Sequence, residues 1–168
     1  MYDIIPVTSP ARNDCGATCL KMLLSYYGTD IDLSTLTEEC NTRFIGCTAK
    51  DLLRVGKAHG LDMIAFQMDA EEVLRQDRPA IVWWRYNHWV VFAGLDTDGR
   101  VAICNPDKGF YRLDAETFCA IYSGVSLWNG EPHDLPAPEP QPEPENYGER
   151  ITALEDELSA TKIILGVE

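Results

Sequence analysis

Basic residues are scarce in this sequence. Its 14 lysines and arginines are outnumbered by 27 aspartates and glutamates, which gives a net charge of −13. The basic residues are also not clustered, whereas nucleic acids and anionic membranes are both bound through clustered positive charge. We therefore expect neither nucleic acid nor an anionic membrane surface among the partners of this protein.

Long apolar runs are missing as well. No segment approaches the roughly 20 apolar residues that a membrane-spanning helix needs. The first ten residues, MYDIIPVTSP, have neither the basic start nor the apolar stretch of a secretory signal. The sequence therefore predicts a cytoplasmic protein without membrane insertion, and it leaves open that the protein is built into a larger particle.

The six cysteines do not form the pairs that metal sites and redox motifs use. No CxxC pair occurs, and no second pair or nearby histidine completes a zinc set around Cys15 and Cys19. Without a secretory context, reduced thiols are favoured over disulfides. We expect most of these cysteines to be small buried residues, and we expect no metal or other cofactor.

The order of the sequence patterns indicates an α+β fold. Helical spacing of apolar residues comes first, in NDCGATCLKMLLSYYG, DLSTLTEEC and CTAKDLLRVGKAHG. Strand patterns then dominate, in LDMIAFQM, PAIVWWR, HWVVFAGLD, RVAICNP, GFYRL and GVSLW, with short helices at DAEEVLRQ and DAETFCAIY. Helices followed by a meander of strands predict N-terminal helices packed on an antiparallel sheet, in one domain over residues 1–130.

The last part of the chain has a different composition. Residues 131–149 are acidic and rich in proline, which is typical of an extended linker. Residues 150–168 carry Ile151, Leu154, Leu158, Thr161 and Leu165 in steps of three and four, which is a heptad pattern. Such a short helix is not stable alone, so we expect it to self-associate or to dock on a partner protein.

Cys15 is a candidate nucleophile because it stands at the predicted start of a helix. Asp14 is placed to cap that helix, and the unpaired N–H groups of a helix N-terminus favour a thiolate. Gly16 leaves the backbone beside the sulfur open, where a substrate could approach. The alternative is that Cys15 is one more small residue of a buried helix, and helix-start placement alone does not decide between the two.

A cysteine nucleophile needs a base, and His88 is the best placed of the three histidines. It begins the apolar strand HWVVFAGL, whereas His59 ends a helix and His133 lies in the proline-rich segment. Asn105 ends the strand predicted to neighbour that of His88, so its amide could orient the ring. Asp107 competes for this role but lies beyond a proline, and a satisfied edge histidine is the structural alternative for His88.

The order of cysteine, histidine and asparagine is the papain-like arrangement, and four blocks make the resemblance specific. NDCGATCLKMLLSYYGTDIDLSTL, GCTAKDLLRVGKAHGLDM, RPAIVWWRYNHWVVFAGLD and VAICNPDKGFYRLDAETF resemble, in order, the conserved blocks of the bacteriocin-processing cysteine peptidases, which cleave double-glycine leaders. The resemblance spans roughly residues 5–128. It implies a papain-like cysteine peptidase fold, a peptide or protein substrate, and a triad of Cys15, His88 and Asn105.

Two positions depart from the pattern of that family. The family has a glutamine six residues before the cysteine, which helps to form the oxyanion hole, and this chain has Ser9 there. Ser9, Asn13 or the Cys15 backbone amide could supply a donor instead, and losing one donor costs about 2.7–4 kcal/mol of transition-state stabilisation. The family also has aspartate at the position of Asn105, a milder change because asparagine serves papain-like enzymes generally.

Two functions from different classes remain open at this stage. The first is a cysteine peptidase tethered to an assembly by its C-terminal helix, with Trp84, Tyr86 and Trp89 either lining a substrate groove or packing in the core. The second is a weakened or inactive peptidase-like module with a structural role, for example in a phage particle or a secretion complex. Acyltransferase chemistry on the same triad has no separate residue support.

Overall fold

The fold is known from a computed structural model, which describes residues 1–9, 11, 13–42, 46–85 and 87–130. In chain order these residues form α1 (Cys15–Tyr26), α2 (Leu33–Glu39), α3 (Ala49–Ala58), β1 (Met63–Gln67), α4 (Ala70–Leu74), β2 (Ala80–Trp84), β3 (His88–Leu95), β4 (Val101–Asn105), β5 (Gly109–Leu113), α5 (Ala115–Ile121) and β6 (Tyr122–Asn129). The linker predicted at 131–149 and the helix predicted at 150–168 lie outside the described residues, as do Tyr86 and His133.

The six strands form one sheet in the order β1-β6-β2-β3-β4-β5, and every neighbouring pair is antiparallel. The α+β class and the antiparallel sheet predicted from the sequence are confirmed. Because β3 and β4 run in opposite directions, the first residue of β3 and the last residue of β4 meet at the same end of the sheet. Those two residues are His88 and Asn105.

Both faces of the sheet are covered, which explains the near-continuous apolar strands. Trp89, Val91 and Ala93 of β3 pack in one core with α1, α2 and α3. Val90 and Phe92 point to the opposite face and pack in a second core with residues of α4 and α5. A strand buried on both sides has no exposed face, so β2 and β4 lose the polar alternation that a half-buried strand shows. Among the described helices, none combines the length and the apolar character needed to cross a membrane.

The helices differ in how their ends are capped. α3 begins with a capping box, in which Thr48 accepts from the N–H of Asp51 and the Asp51 carboxylate accepts from the N–H of Thr48, each at 3.2 Å. Gly28 and Gly60 follow α1 and α3 with positive φ, as helix-ending glycines do.

The prediction that the Asp14 side chain caps α1 is wrong. Asp14 occupies the N-cap position, but its carboxylate makes no capping hydrogen bond. Its backbone angles are φ −91° and ψ 3°, whereas Thr48, which does cap, has the extended ψ of 162°. An N-cap side chain reaches back to the first-turn N–H groups from an extended backbone, and Asp14 lacks that geometry.

The N-terminal segment lies along the sheet and ends beside Asn105. The N–H of Tyr2 donates to the carbonyl of Ala93 at 2.8 Å, and the N–H of Ser9 donates to the carbonyl of Pro106 at 2.8 Å. Gly94 has a φ of +87°, and a Cβ there would stand 2.8 Å from the Tyr2 ring. This close approach fixes the path of residues 2–9, and it brings Ser9 next to the turn that follows β4.

Candidate active site

Cys15 is the first residue of α1, which is the most deeply buried helix among the described residues. Residues 15–20 are all buried, and Cys15 itself is 5% exposed. Thr18 stabilises the first turn, because its backbone N–H and its Oγ1 hydroxyl both donate to the carbonyl of Asp14 at 2.9 Å. The Cys15 thiol therefore has a fixed place at a helix N-terminus whose first-turn N–H groups receive nothing from the Asp14 carboxylate.

Gly16 is required by packing. A Cβ at this position would collide with the sulfur of Cys47 and would lie 3.1 Å from Cδ1 of Trp89. Trp89 is itself held against this segment, since its indole N–H donates to the carbonyl of Cys47 at 3.4 Å. Gly16 is thus buried against core side chains, so its lack of a side chain serves packing here, whereas the sequence suggested that it leaves the backbone open to a substrate.

His88 and Asn105 meet where β3 begins and β4 ends. The Nε2 atom of His88 lies 2.9 Å from Oδ1 of Asn105, which is 3% exposed. Asp107, the competing candidate, is further away, with its Oδ2 atom 3.9 Å from Nε2. Asn105 therefore makes the hydrogen bond to the ring, and Asp107 adds a nearby negative charge.

The contacts of Asn105 determine which nitrogen of His88 carries a proton. The backbone N–H of Asp107 donates to Oδ1 of Asn105 at 2.8 Å, so the atom at that position accepts hydrogen bonds. His88 must then donate to the same oxygen through Nε2–H. In the neutral ring this leaves Nδ1 unprotonated, and Nδ1 is the nitrogen available for the side-chain hydrogen bond between His88 and Cys15.

The surroundings of His88 favour its charged form. Burial lowers the pKa of His88, but the hydrogen bonds to Cys15 and Asn105, together with the charges of Cys15 and Asp107, outweigh burial and raise the pKa above the ordinary 6.5. His88 is therefore favoured as an imidazolium over its neutral form.

Several of the other cysteines are held as thiols. Burial raises the pKa of Cys104 to about 11 and raises the pKa of Cys19 well above its ordinary value. The hydrogen bond to Cys40, together with burial, raises the pKa of Cys47. Burial and the charge of Glu71 raise the pKa of Cys119, which is half-buried on α5. These four thiols stay protonated and weakly nucleophilic at neutral pH.

His59 has a different partner and takes no part in this site. Its Nε2 atom lies 2.6 Å from Oε2 of Glu39, a contact that ties the end of α3 to the end of α2. Of the two histidines that the structure describes, only His88 contacts a cysteine through its side chain.

The residues predicted to form the oxyanion hole and the substrate groove differ in their hydrogen bonds and in their burial. The Ser9 hydroxyl donates to the carbonyl of Ala11 at 2.6 Å, and half-buried Asn13 lies two residues before Cys15. Trp84 and Trp89 are buried on opposite faces of the sheet, and the Trp84 ring packs 6.2 Å from the His88 ring in an edge-on geometry. Tyr86, the remaining groove candidate, lies outside the described residues.

Tyr111 contacts Asn105 and was not among the residues inferred from the sequence. The Nδ2 group of Asn105 donates to the Tyr111 hydroxyl at 3.2 Å. The register of the β4–β5 hairpin would have indicated this contact, because Asn105 pairs with Gly109 and Ile103 pairs with Tyr111. Asn105 and Tyr111 are thus diagonal neighbours on one face, within reach of a tyrosine side chain.

A cysteine at a helix N-terminus, a histidine at the start of one strand and an asparagine at the end of its neighbour are the residue types that papain-like cysteine peptidases use. The sequence profile of the peptidase C39 family matches residues 5–132. The chain belongs to the peptidase C39 family, a family of cysteine peptidases. The resemblance found in the sequence, the fold class and the expectation of an enzyme are all confirmed.

The similar curated proteins are processing and transport proteins. The chain is 30% identical over 123 residues to the lactococcin-G-processing and transport ATP-binding protein LagD of Lactococcus lactis subsp. lactis, and 26% identical over 119 residues to the colicin V secretion/processing ATP-binding protein CvaB of Escherichia coli. Each match covers 70% of this chain and 17% of the relative. The chain therefore corresponds to about a sixth of the length of these relatives.

Solved structures share the fold. A double glycine motif protease from an AMS/PCAT transporter, crystallised with the leader peptide, has a TM-score of 0.69 at 27% identity, covering 73% of this chain and 89% of that one. The peptidase domain of Streptococcus ComA has a TM-score of 0.68 at 21% identity, covering 74% and 96%. None of these relatives supports the alternatives of an inactive structural module or a phage-particle component.

Proposed function

We propose that this domain is a thiol peptidase in which Cys15 is the nucleophile, His88 the general base and acid, and Asn105 the group that orients His88. The observation that carries the proposal is the 2.9 Å hydrogen bond between His88 Nε2 and Asn105 Oδ1, with the Cys15 side chain as the other partner that raises the pKa of His88. Each member lies on a rigid element, at the start of α1, the start of β3 and the end of β4.

The chemistry follows from the protonation states. Nδ1 of His88 takes the proton of the Cys15 thiol, and the sulfur attacks the carbonyl carbon of the scissile peptide bond. The imidazolium then gives its proton to the leaving amine as the C–N bond breaks, which leaves a thioester on Cys15. Water, deprotonated by the same nitrogen, hydrolyses the thioester and restores the thiol.

We propose that the substrate is a peptide with two glycines before the cleaved bond. The relatives are named for processing, and one solved relative is a double glycine motif protease bound to a leader peptide.

The oxyanion hole of this proposal uses the backbone N–H of Cys15, with the side chain of Asn13 or of Ser9 as the second donor. The Ser9 hydroxyl already donates to Ala11, so it would have to give up that bond to serve instead. Removing the true side-chain donor should lower kcat about 10²- to 10³-fold. Comparing Asn13→Ala with Ser9→Ala assigns the donor, and a small effect of both variants would show that backbone groups suffice.

The central experiment measures cleavage of a synthetic peptide that carries the Gly-Gly pair, with mass spectrometry to locate the cut. We expect cleavage after the second glycine by the wild type and a loss of at least about 10⁴-fold in Cys15→Ala. A second peptide with valine in place of the last glycine should be cleaved far more slowly if the site requires the glycine pair.

Cys119→Ala is the matched control, because it removes a cysteine from the opposite side of the sheet. It should leave cleavage unchanged. Equal activity of wild type and Cys15→Ala would end the proposal of Cys15 as the nucleophile. Equal cleavage of the glycine and valine peptides would retain the peptidase and reject the double-glycine substrate.

For the C-terminal segment we retain the role predicted from its sequence, which is self-association or docking of the heptad residues 150–168. Light scattering of the full chain against the double variant Leu154→Asp, Leu158→Asp tests it. A lower mass for the variant supports self-association. An unchanged mass, together with unchanged binding to a transporter of the relatives' type, would reject both roles.

A further inference from the structure

His88 becomes positively charged when it takes the proton of Cys15, and Asn105 cannot balance that charge. In the Ser-His-Asp arrangement the carboxylate does two things, since it holds the imidazole in place and stabilises the imidazolium. Asn105 accepts from Nε2 of His88 at 2.9 Å, but its amide carries no charge. This hydrogen bond therefore orients the ring, and any full negative charge beside Nε2 comes from another residue.

The carboxylate of Asp107 lies beside this hydrogen bond. Its Oδ2 atom is 3.9 Å from Nε2 of His88, while the backbone N–H of Asp107 donates to Oδ1 of Asn105 at 2.8 Å. The N–H of Lys108 donates to the backbone carbonyl of Asn105 at 3.2 Å, which closes the turn. The turn after β4 thus ties Asp107 to Asn105 by its backbone and leaves its side chain next to His88.

We propose that Asp107 supplies the negative charge of this site, so that the two tasks of a triad carboxylate are divided between Asn105, which orients His88, and Asp107, which stabilises the imidazolium. The inference rests on the proposed function of Cys15, His88 and Asn105. Asp107 is a positioning residue, because it acts through His88 and exchanges no proton itself.

The groups that face His88 come from several elements. Burial lowers the pKa of His88, whereas its hydrogen bonds and the charges of Cys15, at the start of α1, and Asp107 raise it. From β2 comes the uncharged ring of Trp84. From β5 comes Tyr111, which bonds the asparagine amide and which burial keeps as a neutral phenol by raising its pKa. Asp107 is therefore the charge that remains beside His88 when Cys15 is replaced.

The exposure of the two side chains suits an interaction through space. The side chain of His88 is 15% exposed and that of Asp107 is 47% exposed. A buried charge is costly unless it is paired, and a half-exposed carboxylate provides a charged neighbour while it keeps much of its own hydration. Solvent also weakens the attraction, so we expect an effect of the size that one charge about 4 Å away exerts in water.

The test removes the charge of Asp107 and keeps its shape. Asp107→Asn retains the backbone N–H that bonds Asn105 and changes only the carboxylate. In the Cys15→Ala background, NMR titration should place the midpoint of His88 about 0.5 to 1 pH unit lower with Asp107→Asn than without it. Asp107→Glu keeps the charge and should leave the midpoint close to that of Cys15→Ala alone.

In the active protein the same substitution should change the pH profile. Cys15 and His88 share one proton that the leaving amine needs, so kcat/KM falls at alkaline pH when the pair loses it. Asp107→Asn should move this alkaline limb about 0.5 to 1 pH unit towards lower pH. A purely structural role of the turn would lower kcat/KM at every pH and leave the limb in place.

Asp98→Asn is the matched control. It removes the same charge from an exposed position in the turn between β3 and β4, at the opposite end of these strands from His88. It should change neither the midpoint of His88 nor the alkaline limb. An equal fall of the midpoint in Asp98→Asn would overturn the inference, because the effect would then come from net charge.

The NMR and activity measurements separate this inference from the proposed function. If the wild type does not cleave the peptide, the proposed function fails, and the midpoint of His88 in the Cys15→Ala background still decides the role of Asp107. If that midpoint is the same with and without Asp107→Asn, Asp107 does not stabilise the imidazolium, whether or not the protein is a peptidase.

Discussion

Two helices of the domain begin in opposite ways. α3 starts with a complete capping box, in which Thr48 and Asp51 satisfy each other's backbone N–H groups. The N-cap residue of α1 is Asp14, whose carboxylate makes no capping hydrogen bond, and the first helical residue is Cys15. The start of α1 is buried, whereas Thr48 at the start of α3 is exposed, so the two helix ends also differ in burial.

The difference teaches where each helix uses its N-terminal donors. The first-turn N–H groups of a helix have no partner within the helix, and a capping side chain takes them up. At α3 the capping box bonds these N–H groups and stabilises the helix. At α1 the Asp14 side chain leaves them to the region around Cys15, where the positive end of the helix dipole favours a thiolate and a developing oxyanion.

Reactivity with iodoacetamide gives the largest expected effect. If the start of α1 and His88 activate Cys15, the buried Cys15 should be alkylated faster than the half-buried Cys119, the reverse of what exposure predicts. His88→Ala should slow the alkylation of Cys15 about 10²-fold or more and leave that of Cys119 unchanged. Mass spectrometry of tryptic peptides measures both rates in one sample.

Titration of His88 by NMR tests whether His88 is paired with Cys15 at the start of α1. The NMR midpoint of His88 should lie above 6.5 in the wild type and should fall in Cys15→Ala, because the bond to Cys15 is removed while burial, which lowers the pKa, stays. Since the folded-state pKa is raised, the stability that His88 contributes is fully present below pH 6.5 and is lost as the pH rises through the folded pKa. A midpoint at or below 6.5 in the wild type would contradict the pairing with Cys15.

Removing the cap of α3 should change stability and leave catalysis intact. Thr48→Ala should lower the free energy of unfolding by about 1 kcal/mol, the usual cost of losing an N-cap. Urea unfolding measures this loss, and kcat should stay at the wild-type value. A large loss of activity at full stability would mean that the start of α3 belongs to the site.

Asp14→Ala should have the smallest effect on stability. Because the Asp14 carboxylate makes no capping bond, the loss should be about 0.3 kcal/mol, which one charge contributes near a helix N-terminus. The unfolding midpoint should therefore move less than in Thr48→Ala. An equal or larger shift would show that Asp14 caps α1 in solution, and the contrast between the two helices would disappear.

The sequence was sufficient for the fold class and for the contact between His88 and Asn105. The apolar strands and the helices before them predicted the sheet, and neighbouring antiparallel strands predicted that His88 and Asn105 would meet. The failure of the Asp14 cap could not be predicted, because it depends on one backbone angle. Tyr111 needed the register of a hairpin, and the contact between Cys40 and Cys47 needed the packing of α2 beside α3.

The burial of α1 indicates how the domain would lose its activity on heating. Amide protons of a helix enclosed by the main core exchange with solvent only when much of the domain opens. The exchange of the amides in the middle of α1 should therefore be among the slowest in the chain. Cys15 then keeps its place up to the melting transition, and thermal inactivation should follow the melting of the whole domain.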